Sequence, residues 1–202
     1  MVVDPRDMPE GRLRSEPVLE FESARAWESW LTTNHAIFTA VWLKIARKDS
    51  GKAGPSYAEA LDVALCFGWI DGQKDRLDSN HWLQRFTPRR PRSKWSKINR
   101  QKATELIGQG RMRPAGLTQV EQAKRDGRWD AAYEAQSVAS IPNDLLRALE
   151  MNPAAQAFFG TLDSRNRYAI LYRIQEAKKP ETRAKRIAKF IAMLSDGQKI
   201  YP

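Results

Sequence analysis

The 202-residue chain carries 34 Lys and Arg against 24 Asp and Glu, a formal net charge of +10. Hydrophobic residues make up 42% of it, which is enough for a core and separates it from a disordered polyelectrolyte. A single cysteine, Cys66, excludes an internal disulfide or a multi-thiolate zinc site, and no run of about 18 apolar residues offers a membrane span.

Residues 1–17 mix acidic, basic and proline positions without the apolar core of a signal peptide. They predict a flexible arm on a cytoplasmic protein. Val18 to Phe21 reads as a short strand. Ala24, Trp27, Trp30 and Leu31 then share one face of a helix. Ala40 to Ala46 alternates Val41, Leu43 and Ile45 with Trp42 and Lys44, the period-two pattern of a half-buried strand. After a loop, Ser56-Tyr57-Ala58-Glu59 fits a capping box, and Gly68 is placed to end that helix in a left-handed conformation.

Trp69 to Arg76 and His81 to Phe86 predict a hairpin around Asp78-Ser79-Asn80, with a bulge or a close backbone approach at Gly72. Pro88 to Pro91 breaks the pattern. Trp95, Ile98, Ala103, Leu106 and Ile107 define the buried face of the next helix, and Pro114 opens another. From Pro142 onward the chain reads as helices. Asn152 caps one, Asp163-Ser164 and Pro180-Glu181-Thr182 start two more, and Ala184, Ile187, Phe190, Ile191 and Leu194 form the last buried stripe. The expected fold class is α+β. A small, mainly antiparallel sheet with packed helices occupies residues 18–135, and a helical subdomain of residues 136–202 packs on it.

The feature with most chemical content runs from Gln84 to Thr104. It holds eight cations, Arg85, Arg89, Arg90, Arg92, Lys94, Lys97, Arg100 and Lys102, and no acid. Uncompensated like charges call for solvent, salt or an anionic partner. The interleaved Trp82, Phe86 and Trp95 are candidate stacking surfaces for bases. The expected partner is therefore nucleic acid or another polyanion, with Arg85, Arg89, Arg90, Arg92, Lys94, Lys97 and Arg100 as its contacts. A solvated basic face is the plainer reading of the same residues. A second basic cluster, Lys178, Lys179, Arg183, Lys185, Arg186 and Lys189, is diluted by Glu176 and Glu181 and reads as helix surface.

An alternative site joins Trp69, Asp71 and Gln73 on one strand face with Trp82, as a small-ligand pocket or an unrecognised active site. A third possibility is a partner-binding module formed by the C-terminal helices. Cys66, on an apolar helix face, reads as inert. His35 and His81 have no metal-ligand spacing, and no phosphate-cradling, dinucleotide or nucleophile-elbow motif is present. The residues name no reaction and no cofactor, and the reading leans to a non-enzymatic protein.

Several ordered segments together carry a family resemblance. They include Asn34-His35, Val41-Trp42-Leu43-Lys44, Ser56-Tyr57, Cys66-Phe67-Gly68-Trp69-Ile70-Asp71-Gly72 and Gln84-Arg85-Phe86-Thr87-Pro88-Arg89. Gly110-Arg111-Met112 and Lys178-Lys179-Pro180-Glu181-Thr182-Arg183 continue the series. From about residue 18 to the end the chain resembles the bacterial YdeI/OmpD-associated, or bacteriocin-protection, family. The stretch from about Pro142 resembles that family's defining domain. The resemblance implies a bacterial cytoplasmic protein linked to envelope stress and resistance to antibacterial peptides. It implies no catalytic residue and no cofactor.

Overall fold

The computed structural model describes residues 16–48, 50–134 and 140–202. They divide into two compact units. One comprises the residues up to Trp95 with Asn99–Ala132, the other Ser96–Ile98 with Tyr133–Pro202. Among the described residues, no helix is long and apolar enough to cross a membrane.

The first unit runs β1 (Val18–Leu19), α1 (Ala24–Asn34), β2 (Val41–Ala46), α2 (Tyr57–Cys66), β3 (Trp69–Arg76), β4 (His81–Pro88), α3 (Lys97–Gly108, whose first two residues group with the other unit) and α4 (Pro114–Arg125). The four strands lie in the order β1-β2-β4-β3. The β2–β4 and β3–β4 pairs are antiparallel, and β1 joins β2 in parallel. The fold class is thus α+β with a mainly antiparallel sheet. Alternation along β2 puts Val41, Leu43 and Ile45 into the main core with Trp27, Leu31 and Phe86. Trp42, on the opposite face, joins Val18 and Leu83 in a smaller cluster.

Local chemistry sets the element ends. Ser23 caps α1 by accepting from Ala26 N. Ser56 and Glu59 complete the capping box of α2 reciprocally. Gly68 closes that helix at φ +74°, a conformation that costs a side chain strain. In the β3–β4 turn the Asp78 carboxylate accepts from Asn80 N at 2.6 Å and His81 N at 2.7 Å. The bulge falls between Asp71 and Lys74, around Gly72. The buried Gln84 amide donates to the carbonyls of Gly72 and Gln73, which the bulge takes out of the ladder.

Some details of this part of the chain differ from the sequence reading. The flexible arm expected for residues 1–17 lies outside the described residues as far as residue 15. From residue 16 the chain is tied down, because Pro17 O accepts from Trp42 N at 2.9 Å and Glu16 pairs with Arg85. The third helix begins at Lys97, not at Trp95, so its buried face is Ala103 and Leu106 while Ile98 is exposed.

In the second unit α5 (Asn143–Glu150), α6 (Pro153–Thr161), α7 (Ser164–Gln175) and α8 (Pro180–Ser195) bury a shared core. That core holds Leu145, Leu149, Phe159, Ile170, Ile174, Phe190 and Leu194. Asp163 caps α7 through Asn166 N, and Gly197 ends α8 at φ +66°. Asn152 precedes α6 without capping it, because its amide donates back to Ala148 O. Ala184 is exposed, and Ile187, Phe190, Ile191 and Leu194 make up the buried stripe of α8.

Candidate functional site

The acid-free stretch begins on β4 and passes into the loop from Arg89 to Ser96. Arg89 N donates to Gly68 O, which fixes the loop's entry at the end of α2. A tight turn follows: Ser93 N donates to Arg90 O, and Arg90 N donates to the Ser93 hydroxyl, each at 2.9 Å. Two arginines brace this turn from inside. Arg89 is only 5% exposed. Its guanidinium lies 3.6 Å from the Trp95 ring centroid and donates to Lys94 O at 3.1 Å. Arg128, oriented by Asp126, donates to Ser93 O at 2.7 Å. Trp95 packs edge-on against Trp129 at 4.9 Å. A desolvated cation over an indole is worth about 2 kcal/mol, so these contacts make a stiff loop.

The remaining cations separate by partner. Arg85 forms a two-pronged pair with Glu16, Lys97 pairs with Glu134, and Lys102 pairs with Asp62 at 2.6 Å. Arg100 donates to Trp129 O at 3.1 Å. The stretch without acids in sequence therefore receives carboxylates from residues 16, 62 and 134. Arg90, Arg92 and Lys94 are exposed at the loop's outer side.

The aromatic candidates do not form a stacking platform. Phe86 is fully buried and Trp95 is 1% exposed, because both fill the first unit's core. Trp82 is partly accessible, with Lys74 Nζ 3.9 Å from its ring centroid and Tyr57 at 5.7 Å. Nor do Trp69, Asp71 and Gln73 converge on a pocket. Trp69 is buried, with its indole N–H donating to His35 O. Asp71 accepts from Tyr57 Oη at 2.8 Å. Gln73 is exposed in the bulge, which breaks the alternation that would have aligned it with Trp69. Burial first, and then the Asp71 carboxylate, push the Tyr57 phenol far above its usual pKa. Tyr57 is thus an uncharged donor to Asp71 and not a base.

The remaining candidates have structural partners. Burial pushes the Cys66 thiol up to about 11, which suppresses the thiolate and with it nucleophilic chemistry. His35 Nδ1 lies 2.9 Å from Leu31 O, and His81 is held by Asp78. Among the described residues no group of three His, Cys, Asp or Glu is placed to hold a metal ion.

In the second unit one cation of the C-terminal basic cluster is held by a carboxylate beyond Glu176 and Glu181. Arg183 grips Asp144 with bonds of 2.5 and 2.9 Å and donates to Ile174 O. Lys178, Lys179, Lys185 and Lys189 are exposed. Sequence reasoning missed the bracing roles of Arg89 and Arg128. Arg128 lies 35 residues from the carbonyl it holds, and no local pattern marks such a pair.

Two family models match the chain. One, described as "Domain of unknown function (DUF8412)", covers residues 19–119. The other, OmdA, described as "Bacteriocin-protection, YdeI or OmpD-Associated", covers residues 138–197, the segment that contains the C-terminal helices. No curated protein and no solved structure matches.

Proposed function

We propose a function from one premise: the chain belongs to the DUF8412 family, through residues 19–119. In this reading it is a non-enzymatic cytoplasmic protein that binds nucleic acid or another polyanion, in a role related to bacteriocin protection. The OmdA match at residues 138–197 supports the protective role. A net charge of +10 repels cationic peptides. Protection would therefore be indirect, through an anionic partner and not by capture of the peptide itself.

The observation that carries the binding reading is the braced loop. Arg89 and Arg128 hold its carbonyls from within, and Arg90 and Arg92 stand exposed on it. A stiff loop loses little conformational entropy on binding. Arg89 is a brace and Lys97 is paired with Glu134, so the informative substitutions are Arg90→Glu and Arg92→Glu.

The test is fluorescence anisotropy with short DNA and RNA duplexes and single strands over a salt series. Binding at ~50 mM salt should weaken steeply as salt rises, because bound phosphates release counterions. The double variant should bind more weakly, with a log–log salt slope shallower by about two. A wild-type protein that binds none of these at ~50 mM salt overturns the reading. So does a double variant with unchanged affinity and slope.

A further inference from the structure

The second unit holds an open cleft of about 500 Å3 between α7, α8 and the residues that follow Gly197, a volume typical of small-ligand sites. Its apolar lining comes from Tyr172, Phe190, Met193 and Ile200, and its charged lining sets Arg173, Arg186 and Lys189 against one carboxylate, Glu176. The C-terminal wall is fixed in place. Asn166, 1% exposed, accepts from Ile200 N and Tyr201 N and donates to Tyr201 O, at 2.9 to 3.2 Å.

The two guanidinium groups are also positioned. Arg173 donates to Ala169 O at 3.1 Å and to the Tyr201 hydroxyl at 3.4 Å, and Arg186 donates to Arg173 O. These acceptors orient the forks without cancelling their charge. Each guanidinium has five N–H donors, so most stay available to a ligand. Arg183, on the same helix, is different: its fork closes on Asp144.

We propose that this cleft binds a small amphipathic anion, with a phosphate-, sulfonate- or carboxylate-type head at Arg173, Arg186 and Lys189 and an apolar body on Phe190, Met193 and Ile200. The head meets charge-assisted donors, the strong class of hydrogen bond. The tail covers apolar surface that would otherwise face water. Three cations against one carboxylate favour an anion over a neutral amphiphile. This site lies wholly in the second unit and does not depend on the loop of the first.

Calorimetric titration with octyl phosphate, kept below its micellar concentration, tests the proposal against inorganic phosphate and octanol. Octyl phosphate should bind, and the two half-ligands should bind at least about tenfold more weakly. Lys189→Glu and Met193→Glu should each weaken octyl phosphate by about tenfold or more. Circular dichroism would establish that both variants keep their helices. Arg90→Glu/Arg92→Glu should bind octyl phosphate as the wild type does, which separates this test from that of the loop.

Co-sedimentation with phosphatidylglycerol vesicles distinguishes a lipid headgroup from a free amphiphile as the natural source. Lys189-dependent vesicle binding would assign the lipid, and its absence the soluble anion. The proposal is overturned if octyl phosphate does not bind, if octanol binds equally well, or if both folded cleft variants retain wild-type affinity.

Discussion

The loop from Arg89 to Ser96 and the face of α7 and α8 are both basic, and they use their charge in different ways. Residues 16–134 carry 20 Lys and Arg against 15 Asp and Glu, and residues 140–202 carry 11 against 6. The excess is the same, yet the second region holds it in about half the length. Most cations of the acid-free stretch serve the fold: Arg85, Lys97 and Lys102 meet carboxylates, Arg89 is buried on an indole, and Arg100 holds a carbonyl. On α7 and α8, Arg173 and Arg186 are oriented by neutral oxygens beside apolar surface, while Arg183 is gripped by Asp144. A charge excess counted along a chain measures repulsion. The charge available to a partner depends on which side chains the fold already holds.

The sharpest way to break this contrast is to remove a brace. Arg89→Ala should cost the first unit about 3 kcal/mol, since it leaves a cavity over Trp95 and takes a donor from Lys94 O. Arg90→Ala, on the exposed side, should stay within about 0.5 kcal/mol. All seven tryptophans belong to the first unit, so urea unfolding followed by tryptophan fluorescence reads that unit selectively. Arg89→Lys should rescue little, because an ammonium has neither the planar fork nor the stacking surface. Equal losses for Arg89→Ala and Arg90→Ala would remove the division into braces and exposed charges.

A second substitution tests the loop's frame without touching any charge. A Cβ at Gly116 would lie 2.3 Å from Cys66 O, so α4 approaches the end of α2 more closely than any side chain permits. The same end of α2 receives Arg113 N at Cys66 O and Arg89 N at Gly68 O. Gly116→Ala should destabilise the first unit by about 2 kcal/mol by overpacking, read by the same fluorescence. A neutral result would mean that α4 can shift without cost and does not fix the loop's entry.

What the sequence made legible was local. The alternation of Val41 to Ala46, the capping box at Ser56, the left-handed Gly68, the Asp78 turn and the Gly72 bulge each rest on residues within a few positions of one another, and each is present. What stayed hidden was non-local. Nothing near Arg85 announces Glu16, 69 residues away, and nothing near Lys102 announces Asp62. The same limit governed the site. The expectation that Phe86 and Trp95 would be offered to bases failed because period and composition do not say which aromatic a core will absorb. The cleft of the second unit gave no motif at all, since its lining is drawn from α7, α8 and the tail. The bulge shows the limit within one strand: Gly72 was readable, but its effect on Gln73 depends on where the extra residue is accommodated.

The smallest expected effect concerns Arg183, the cation of the C-terminal cluster that Asp144 grips. The two-pronged bond from Arg183 holds the Asp144 carboxyl below its ordinary pKa of 3.8, with Coulomb attraction acting in the same direction. A carboxyl whose folded pKa is depressed adds stability that is fully present above its unfolded pKa and is lost as pH falls through the folded value. The difference between wild type and Asp144→Asn should therefore be constant above about pH 5 and shrink below about pH 4. Its size is limited because the Asp144 side chain is 44% exposed, which leaves a screened pair worth under about 1 kcal/mol. Hydrogen exchange of the α8 amides, resolved by NMR at pH 3.5 and pH 6, measures it in the second unit alone. Such a small, acid-sensitive difference fits a surface pair that trims the charge of its region without bracing the unit. A loss of several kcal/mol that persists at pH 3.5 would show that Arg183 and Asp144 brace their unit as Arg89 braces the loop, and the contrast between the two regions would fail.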